Sequence, residues 1–168
     1  DILFSQTGQS SHVKANAFFG KNGRMRIQKQ HPDQQLTVTD GKTVWIFNPG
    51  PNQVWKGSSK GWLKSGWMPK GLVPLSGYVA ELKKNFDLSL GASDTETVTV
   101  DATPKDQRLG YKLQFVFSTQ SWLPTKTIYV SDSARVTTLL SDVKPNPADI
   151  SRQFQFSIPK GATVIPLN

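Results

Sequence analysis

The chain has 168 residues, a net charge of +8 and no cysteine. A chain of this length can bury its own core as one domain, here residues 1–168. The lack of cysteine excludes disulfide scaffolds, cysteine-ligated zinc and thiol catalysis, and no apolar run approaches the length of a membrane span.

Short strands dominate the sequence outside its middle segment. Turn signals such as Asn22-Gly23 and His31-Pro32-Asp33 separate short apolar or alternating runs. The predicted strands cover residues 2–7, 12–19, 25–28, 35–39, 44–47, 53–55, 95–100, 111–117, 125–130, 136–140 and 153–158. This regular spacing predicts an all-β sandwich or barrel.

The clearest hairpin signal is Asp40-Gly41. We expect these two residues to be the central pair of a type I′ turn, with positive φ at both. The following run, Val44-Trp45-Ile46-Phe47, offers apolar side chains to both faces, so we expect both sides of the sheet to be covered. With Trp55 in the next strand, the pattern predicts an antiparallel meander with an apolar concave face. That face is either a core or a cargo site.

Residues 57–90 interrupt the strand pattern. Their first part is rich in Gly, Ser and Lys, which predicts irregular structure. Four apolar residues then recur at helical spacing: Leu75, Val79, Leu82 and Phe86. They predict a short amphipathic helix over about residues 75–85, whose apolar stripe rests on the apolar sheet face. We therefore predict that residues 57–90 form a lid across the mouth of an incomplete barrel.

The middle segment also carries much of the positive charge. Between Lys56 and Phe86 lie six lysines and a single acidic residue, Glu81, which gives a net charge of +5. Together with Trp62 and Trp67, this segment can favour an anionic membrane surface, an acidic partner or nucleic acid. A solvated lysine face that keeps the protein soluble is an equal alternative.

The sequence offers no positive evidence for catalysis, a metal or a cofactor. His12 and His31 do not have a metal-ligand spacing, and no Gly-x-Ser-x-Gly elbow or phosphate-binding glycine loop is present. Nucleic-acid binding is disfavoured because Trp45 and Phe47 lie in the most apolar part of the chain, where burial is expected. We expect no enzyme activity.

Three motifs together resemble the LolA-like periplasmic lipoprotein carriers. The run from Thr39 to Pro49, followed by Asn52-Gln53-Val54, is similar to the family's hairpin signature. The run from Phe154 to Ile165 resembles its closing Phe-x-Phe-x-x-Pro-x-Gly-x-x-Val motif. Trp122-Leu-Pro-Thr-Lys126 resembles a strand-entry motif of the broader lipoprotein-sorting members.

The resemblance implies a mainly β (α+β) fold: an unclosed antiparallel β-barrel of about eleven strands with a short helical lid. It also implies a periplasmic carrier that takes acylated lipoproteins from an inner-membrane ABC transporter, shields their acyl chains in an apolar cavity and delivers them to an outer-membrane acceptor. No catalysis is implied. A soluble carrier is expected to be a monomer.

Two departures from the family pattern concern the lid. The family normally opens with a long N-terminal helix, whereas this chain begins in strand-like sequence, so we expect that the helix was removed or that the chain is a reduced relative. The family's lid-latching arginine is matched here by Lys21, followed by Asn22-Gly23. Lysine lacks the guanidinium fork, so the latch is expected to be weaker.

The resemblance and the apolar pattern together select eight residues for the lipid-binding cavity and lid: Trp45, Phe47, Trp55, Trp62, Trp67, Leu75, Val79 and Leu82. Ordinary core packing is the alternative for Trp45 and Phe47. A core role is harder to support for Trp62 and Trp67, because lysine and glycine surround them. The second functional hypothesis is a non-catalytic sensor or scaffold of the same fold that binds a lipoprotein or a regulatory protein in the cell envelope.

Overall fold

The computed structural model describes residues 2–4, 7–64, 79–145 and 150–167. The described residues form β1 (Ile2–Phe4), β2 (Ser10–Ser11), β3 (Lys14–Phe19), β4 (Arg24–His31), β5 (Gln35–Asp40), β6 (Thr43–Asn48), β7 (Gln53–Ser58), β8 (Phe86–Ser93), β9 (Thr97–Pro104), β10 (Tyr111–Ser118), β11 (Pro124–Ser131), β12 (Ala134–Leu139) and β13 (Thr163–Leu167). Two short helices are α1 (Ser59–Lys64) and α2 (Val79–Asn85), and single 3-10 turns cover Gln107–Leu109 and Ser151–Phe154.

The strands form two sheets, each within its own compact unit. The first unit comprises Asp1–Ser11 and Lys70–Asn146, and the second comprises His12–Pro69 and Pro147–Asn168. Within the described ranges both strand orders are linear, so neither sheet closes on itself. This confirms the predicted mainly β fold with unclosed, mostly antiparallel sheets and few short helices.

The seven-stranded sheet of the first unit has the order β2-β1-β12-β11-β10-β9-β8 and is antiparallel throughout. Because side chains alternate along a strand, its two faces differ in character. One face carries the buried cluster Ala102, Leu113, Phe115, Tyr129 and Val136. The other face is mixed: Val116, Ile128 and Val130 lie on it, and the Gln114 side-chain amide donates a 2.7 Å hydrogen bond to the Asp101 carboxylate.

The six-stranded sheet of the second unit has the order β13-β7-β6-β5-β4-β3. Five strands form an antiparallel meander, while β13 pairs in parallel with β7. Both faces bury apolar groups, as the run Val44-Trp45-Ile46-Phe47 predicts. Val44 and Ile46 are buried on one face, and Val38 and Val54 are buried on the other.

The hairpin between β5 and β6 is where the sequence predicts it, but the turn type differs. Gly41 has φ +96°, whereas Asp40 ends β5 without positive φ. Asp40 instead accepts hydrogen bonds from the backbone N–H groups of Lys42 (2.8 Å) and Thr43 (2.7 Å). The two-residue loop is thus Gly41-Lys42. Asp40 precedes this loop, and its side chain stabilises the turn by hydrogen bonds to the backbone.

The middle segment is more regular than predicted. Strand β7 continues to Ser58 and α1 follows at Ser59, where the sequence had suggested irregular structure. The predicted helix is present as α2 over Val79–Asn85, and residues 75–78 lie outside the described part of the chain. Phe86 already begins β8, so the last residues of the predicted lid, 86–90, belong to the seven-stranded sheet.

The C-terminal strand is displaced relative to its prediction. Residues 153–158 do not form a strand; Ser151–Phe154 is a 3-10 turn, and β13 follows at Thr163–Leu167. Phe154, Phe156 and Ile158 alternate with polar residues, as they would in a strand. The reason for the pattern is different: Phe154 and Phe156 both pack against the same sheet. Among the described residues, thirteen strands replace the predicted eleven.

Candidate functional site

The apolar face of the seven-stranded sheet supports α2. Leu82 on α2 and Phe86 at the start of β8 pack against the buried cluster around Leu113 and Phe115. The helical spacing predicts this contact between an apolar stripe and an apolar sheet face. Val79 is the first residue of α2, whereas Trp67 and Leu75 lie outside the described residues.

Two tyrosine rings, those of Tyr111 and Tyr129, lie on this face. The rings of Tyr111 and Tyr129 stack with centroids 5.2 Å apart. Burial, and secondarily the neighbouring Tyr129, raises the pKa of the Tyr111 hydroxyl. The face therefore offers aromatic and aliphatic contacts without an ionised group, which suits hydrocarbon.

The apolar face continues beyond the buried cluster onto the edge strand β8. Leu88 pairs with Ala102, and Leu90 pairs with Val100, so both share the face of the cluster. Yet Leu88 is 40% exposed and Leu90 is 79% exposed. These two leucines were not predicted from the sequence, because the helical spacing that ends at Phe86 hides the alternation of Phe86, Leu88 and Leu90.

The six-stranded sheet divides the predicted aromatic residues between its two faces. Trp45 and Phe47 lie on one face, where the ring of Phe156 is centred 5.9 Å from Trp45 and 6.4 Å from Phe47. Trp55 lies on the opposite face, paired in register with Ile46 and Ile165. The three aromatic residues therefore do not share one face of the sheet, and the predicted single concave lining is wrong for this set. The C-terminal segment covers part of the Trp45 face.

Trp62 is buried, although its lysine and glycine neighbours in the sequence suggest exposure. Although lysines flank its segment, Trp62 on α1 is only 3% exposed, and α1 lies against β6 and β7. The Ser59 hydroxyl donates to the Gly41 carbonyl at 2.9 Å, which joins the start of the helix to the β5–β6 hairpin. A core role for Trp62 is thus physically supported, contrary to the expectation from its neighbours.

Lys21, the predicted latch, lies exposed in the turn between β3 and β4. Its carbonyl oxygen accepts hydrogen bonds from the backbone N–H of Arg24 (3.4 Å) and from Arg24 Nε (3.2 Å). The Arg24 guanidinium also lies 5.3 Å from the centroid of the Phe154 ring. At this turn the Arg24 side chain thus contacts both a backbone carbonyl and an aromatic ring, while Lys21 is exposed.

Metal binding receives no support from the described residues. They contain no group of three or more histidine or acidic side chains positioned to hold an ion. His12 and His31 approach each other with ring centroids 6.0 Å apart, but both are exposed. Within the same ranges, no helix is both long enough and apolar enough to cross a bilayer.

Comparison with known proteins links this fold to lipoprotein transport. The family model described as outer membrane lipoprotein carrier protein LolA matches residues 2–157. An outer-membrane lipoprotein carrier protein of Legionella pneumophila (strain Lens) is 32% identical over 165 residues, covering 98% of this chain and 79% of that protein. A protein of the same name from Dechloromonas aromatica (strain RCB) is 34% identical over 167 residues, covering 97% of this chain and 76% of that protein.

Proposed function

Because the chain belongs to the LolA family of outer membrane lipoprotein carrier proteins, we propose that it binds lipoprotein acyl chains and carries them across the periplasm. The chain is a carrier and not an enzyme. Its cargo is taken from an inner-membrane ABC transporter and passed to an outer-membrane acceptor. Binding shields the acyl chains from water during this passage.

The observation that best supports acyl binding is the exposed extension of the apolar face. Leu88 and Leu90 lie beside a buried cluster of the same sheet face but remain open to solvent. Each CH₂ removed from water is worth about 0.8 kcal/mol, so an acyl chain laid along this extension gains stability. Since only part of the face is open, the gain stays small enough to permit release.

The proposed cargo contacts combine the residues predicted from the sequence with the newly located leucines. They are Trp45, Phe47, Trp55, Trp62, Trp67, Leu75, Val79, Leu82, Leu88 and Leu90. The weaker members are Trp62, which is only 3% exposed, and Trp45 and Phe47, because Phe156 already packs against both of their rings. Lys21 remains the proposed latch, with Arg24 as its neighbour in the same turn.

Leu90→Glu tests this proposal without disturbing the core. Placing a carboxylate on the exposed end of the apolar face should reduce the lipid-bound fraction of protein by about tenfold, because an acyl chain cannot solvate the charge. The fraction is measured by native mass spectrometry, with lipid extraction, of protein purified from a bacterial periplasm. The expected cargo is an acylated species.

Leu139→Glu is the matched control. Leu139 is 71% exposed on the same sheet, but its pairing with Lys126 places it on the face opposite the buried cluster. This variant should keep its cargo. Equal loss of cargo in both variants would show that the apolar face is not the binding surface. A protein that is empty and takes up neither lipopeptide nor phospholipid would refute the carrier proposal and favour a scaffold that binds a protein partner.

A further inference from the structure

The net charge of the protein is confined to one of its two units. The unit made of His12–Pro69 and Pro147–Asn168 contains 11 basic and 3 acidic residues, a net charge of +8. The other unit contains 9 of each and is neutral. The excess therefore does not follow the lysine-rich middle segment alone but belongs to the whole six-stranded unit.

Part of this charge lies on the sheet face that Phe156 partly covers, where Arg26 and Trp45 are half-buried and Lys56 is exposed. Arg26 on β4 pairs with Val38 on β5. Val38 pairs with Trp45 on β6, which in turn pairs with Lys56 on β7. Paired residues share a face, so Arg26, Trp45 and Lys56 lie in one row across four adjacent strands. We call this row, with the Phe156 ring beside Trp45, the basic aromatic face.

The cations of the basic aromatic face are not neutralised within the described part of the chain. Neither Arg26 nor Lys56 forms an ion pair there, and Lys56 is exposed. Asp40, which shares this face through its pairing with Arg24, accepts backbone hydrogen bonds from Lys42 and Thr43. Arg24 stacks over Phe154 instead of meeting an acid. The positive charges on this face therefore repel each other, and binding of an anionic partner would relieve this repulsion.

We propose that the basic aromatic face docks an acidic surface of a partner protein. Arginine and tryptophan are the residues that contribute most strongly to protein interfaces, and here both stand on rigid strands. Positive charge confined to one unit also orients the approach of an acidic partner and increases the association rate. Trp45 packs against Phe156 and is half-buried, which suits a flat protein contact better than insertion into a bilayer. Trp45 also belongs to the proposed cargo contacts, so the inference is tested only through Arg26 and Lys56, which do not.

The test is a titration of isotope-labelled full-length protein with a synthetic Glu-rich peptide, followed by NMR at low ionic strength. Amide shifts should concentrate on β4, β6 and β7 and disappear at high salt. The double variant Arg26→Glu/Lys56→Glu should weaken binding by about tenfold or more. The neutral variant Arg26→Gln/Lys56→Gln should weaken binding of the peptide by a smaller factor. It provides the test if the charge reversal unfolds the protein.

The matched control is Lys112→Glu/Lys144→Glu, which changes the net charge equally but lies in the neutral unit. It should bind the peptide as the wild type does. Equal weakening in the control, or shifts spread over both units, would overturn the proposal. So would tighter binding to phosphatidylglycerol vesicles than to the peptide through Arg26 and Lys56, which would assign the face to a membrane. Native mass spectrometry should find cargo in the Arg26→Glu/Lys56→Glu variant and in the control. Failure of the docking proposal can therefore be distinguished from failure of the carrier function.

Discussion

At the scale of single residues, Gly57 permits the parallel pairing that ends the chain. A methyl group at this position would lie 2.5 Å from the Leu167 carbonyl oxygen and 2.8 Å from its Cβ. Gly57 pairs with Leu167 in the β7–β13 ladder, so the backbone itself would have to move. The glycine therefore serves strand packing in β7, whereas its Gly-rich sequence context suggested a flexible lid.

Gly57→Ala should lower the free energy of unfolding by about 1–3 kcal/mol, because overpacking against a backbone atom cannot be relieved by rotating a side chain. Urea denaturation measures the change. Gly50→Ala is the control: a methyl group there meets nothing within 4 Å. It should change stability by less than about 0.5 kcal/mol. Equal effects would mean that the contact with Leu167 does not limit the packing.

Turn residues show how far local sequence reasoning reaches. Asn22 and Gly23 both have positive φ, as the Asn-Gly pair predicts. Asp-Gly at residues 40–41 gave the right hairpin but the wrong turn, because the Asp40 carboxylate can bond to backbone amides and stay outside the loop. An aspartate can either occupy a central position of the turn or precede it and accept hydrogen bonds from the turn backbone. Which of the two occurs depends on the register of the two strands, and that register is set by pairing with the rest of the sheet.

At the scale of elements, residues 151–158 stabilise the six-stranded sheet without joining it as a strand, unlike β13, which follows them. Phe154 is 4% exposed, and its 3-10 turn contacts β4 and β5. Phe156 covers Trp45 and Phe47 on the same sheet. The segment thus covers the side of the sheet that the apolar run at residues 44–47 requires to be covered.

Phe154→Ala should lower the free energy of unfolding by about 3 kcal/mol or more, because a buried ring is lost and a cavity is left. Ile158→Ala, in the same segment but 44% exposed, should cost about 1 kcal/mol or less. Thermal and urea unfolding of both variants measure these changes. A mild effect of Phe154→Ala would mean that the segment is only loosely attached.

Elements with strong local signals were predictable, and those that depend on long-range contacts were not. The antiparallel strands from β4 to β7 follow from alternation and turn residues. The strand β8 was missed because its first residue, Phe86, also fits the helical spacing of α2. The parallel strand β13 pairs with β7, more than a hundred residues earlier, and no local pattern specifies that partner.

At the scale of the whole molecule, the sequence predicted the fold class and the family but not how the candidate site is distributed. Three motifs spread along the chain carried the resemblance, and the fold class depends on the overall strand pattern. The site depends on which face each side chain occupies, and a shift of one residue in register moves a side chain to the other face. This is why Trp45 and Trp55, both predicted for one lining, lie on opposite faces.

The edge strands give a reason to expect a monomer. Edge strands can pair with another copy unless something interrupts them. In the described part of the chain, β3 has a register shift after Lys14, β8 has one between Leu90 and Ser93, and β13 contains Pro166. The charge of +8 adds repulsion between copies.

Sedimentation velocity at low ionic strength should therefore find a single monomeric species over a wide range of protein concentration. Raising the salt concentration screens the repulsion but leaves the edge interruptions in place, so the protein should stay monomeric. Dimers that form only at high salt would show that charge, and not edge geometry, keeps copies apart. Dimers at low salt would contradict both reasons and would point to pairing through an edge that these features fail to protect.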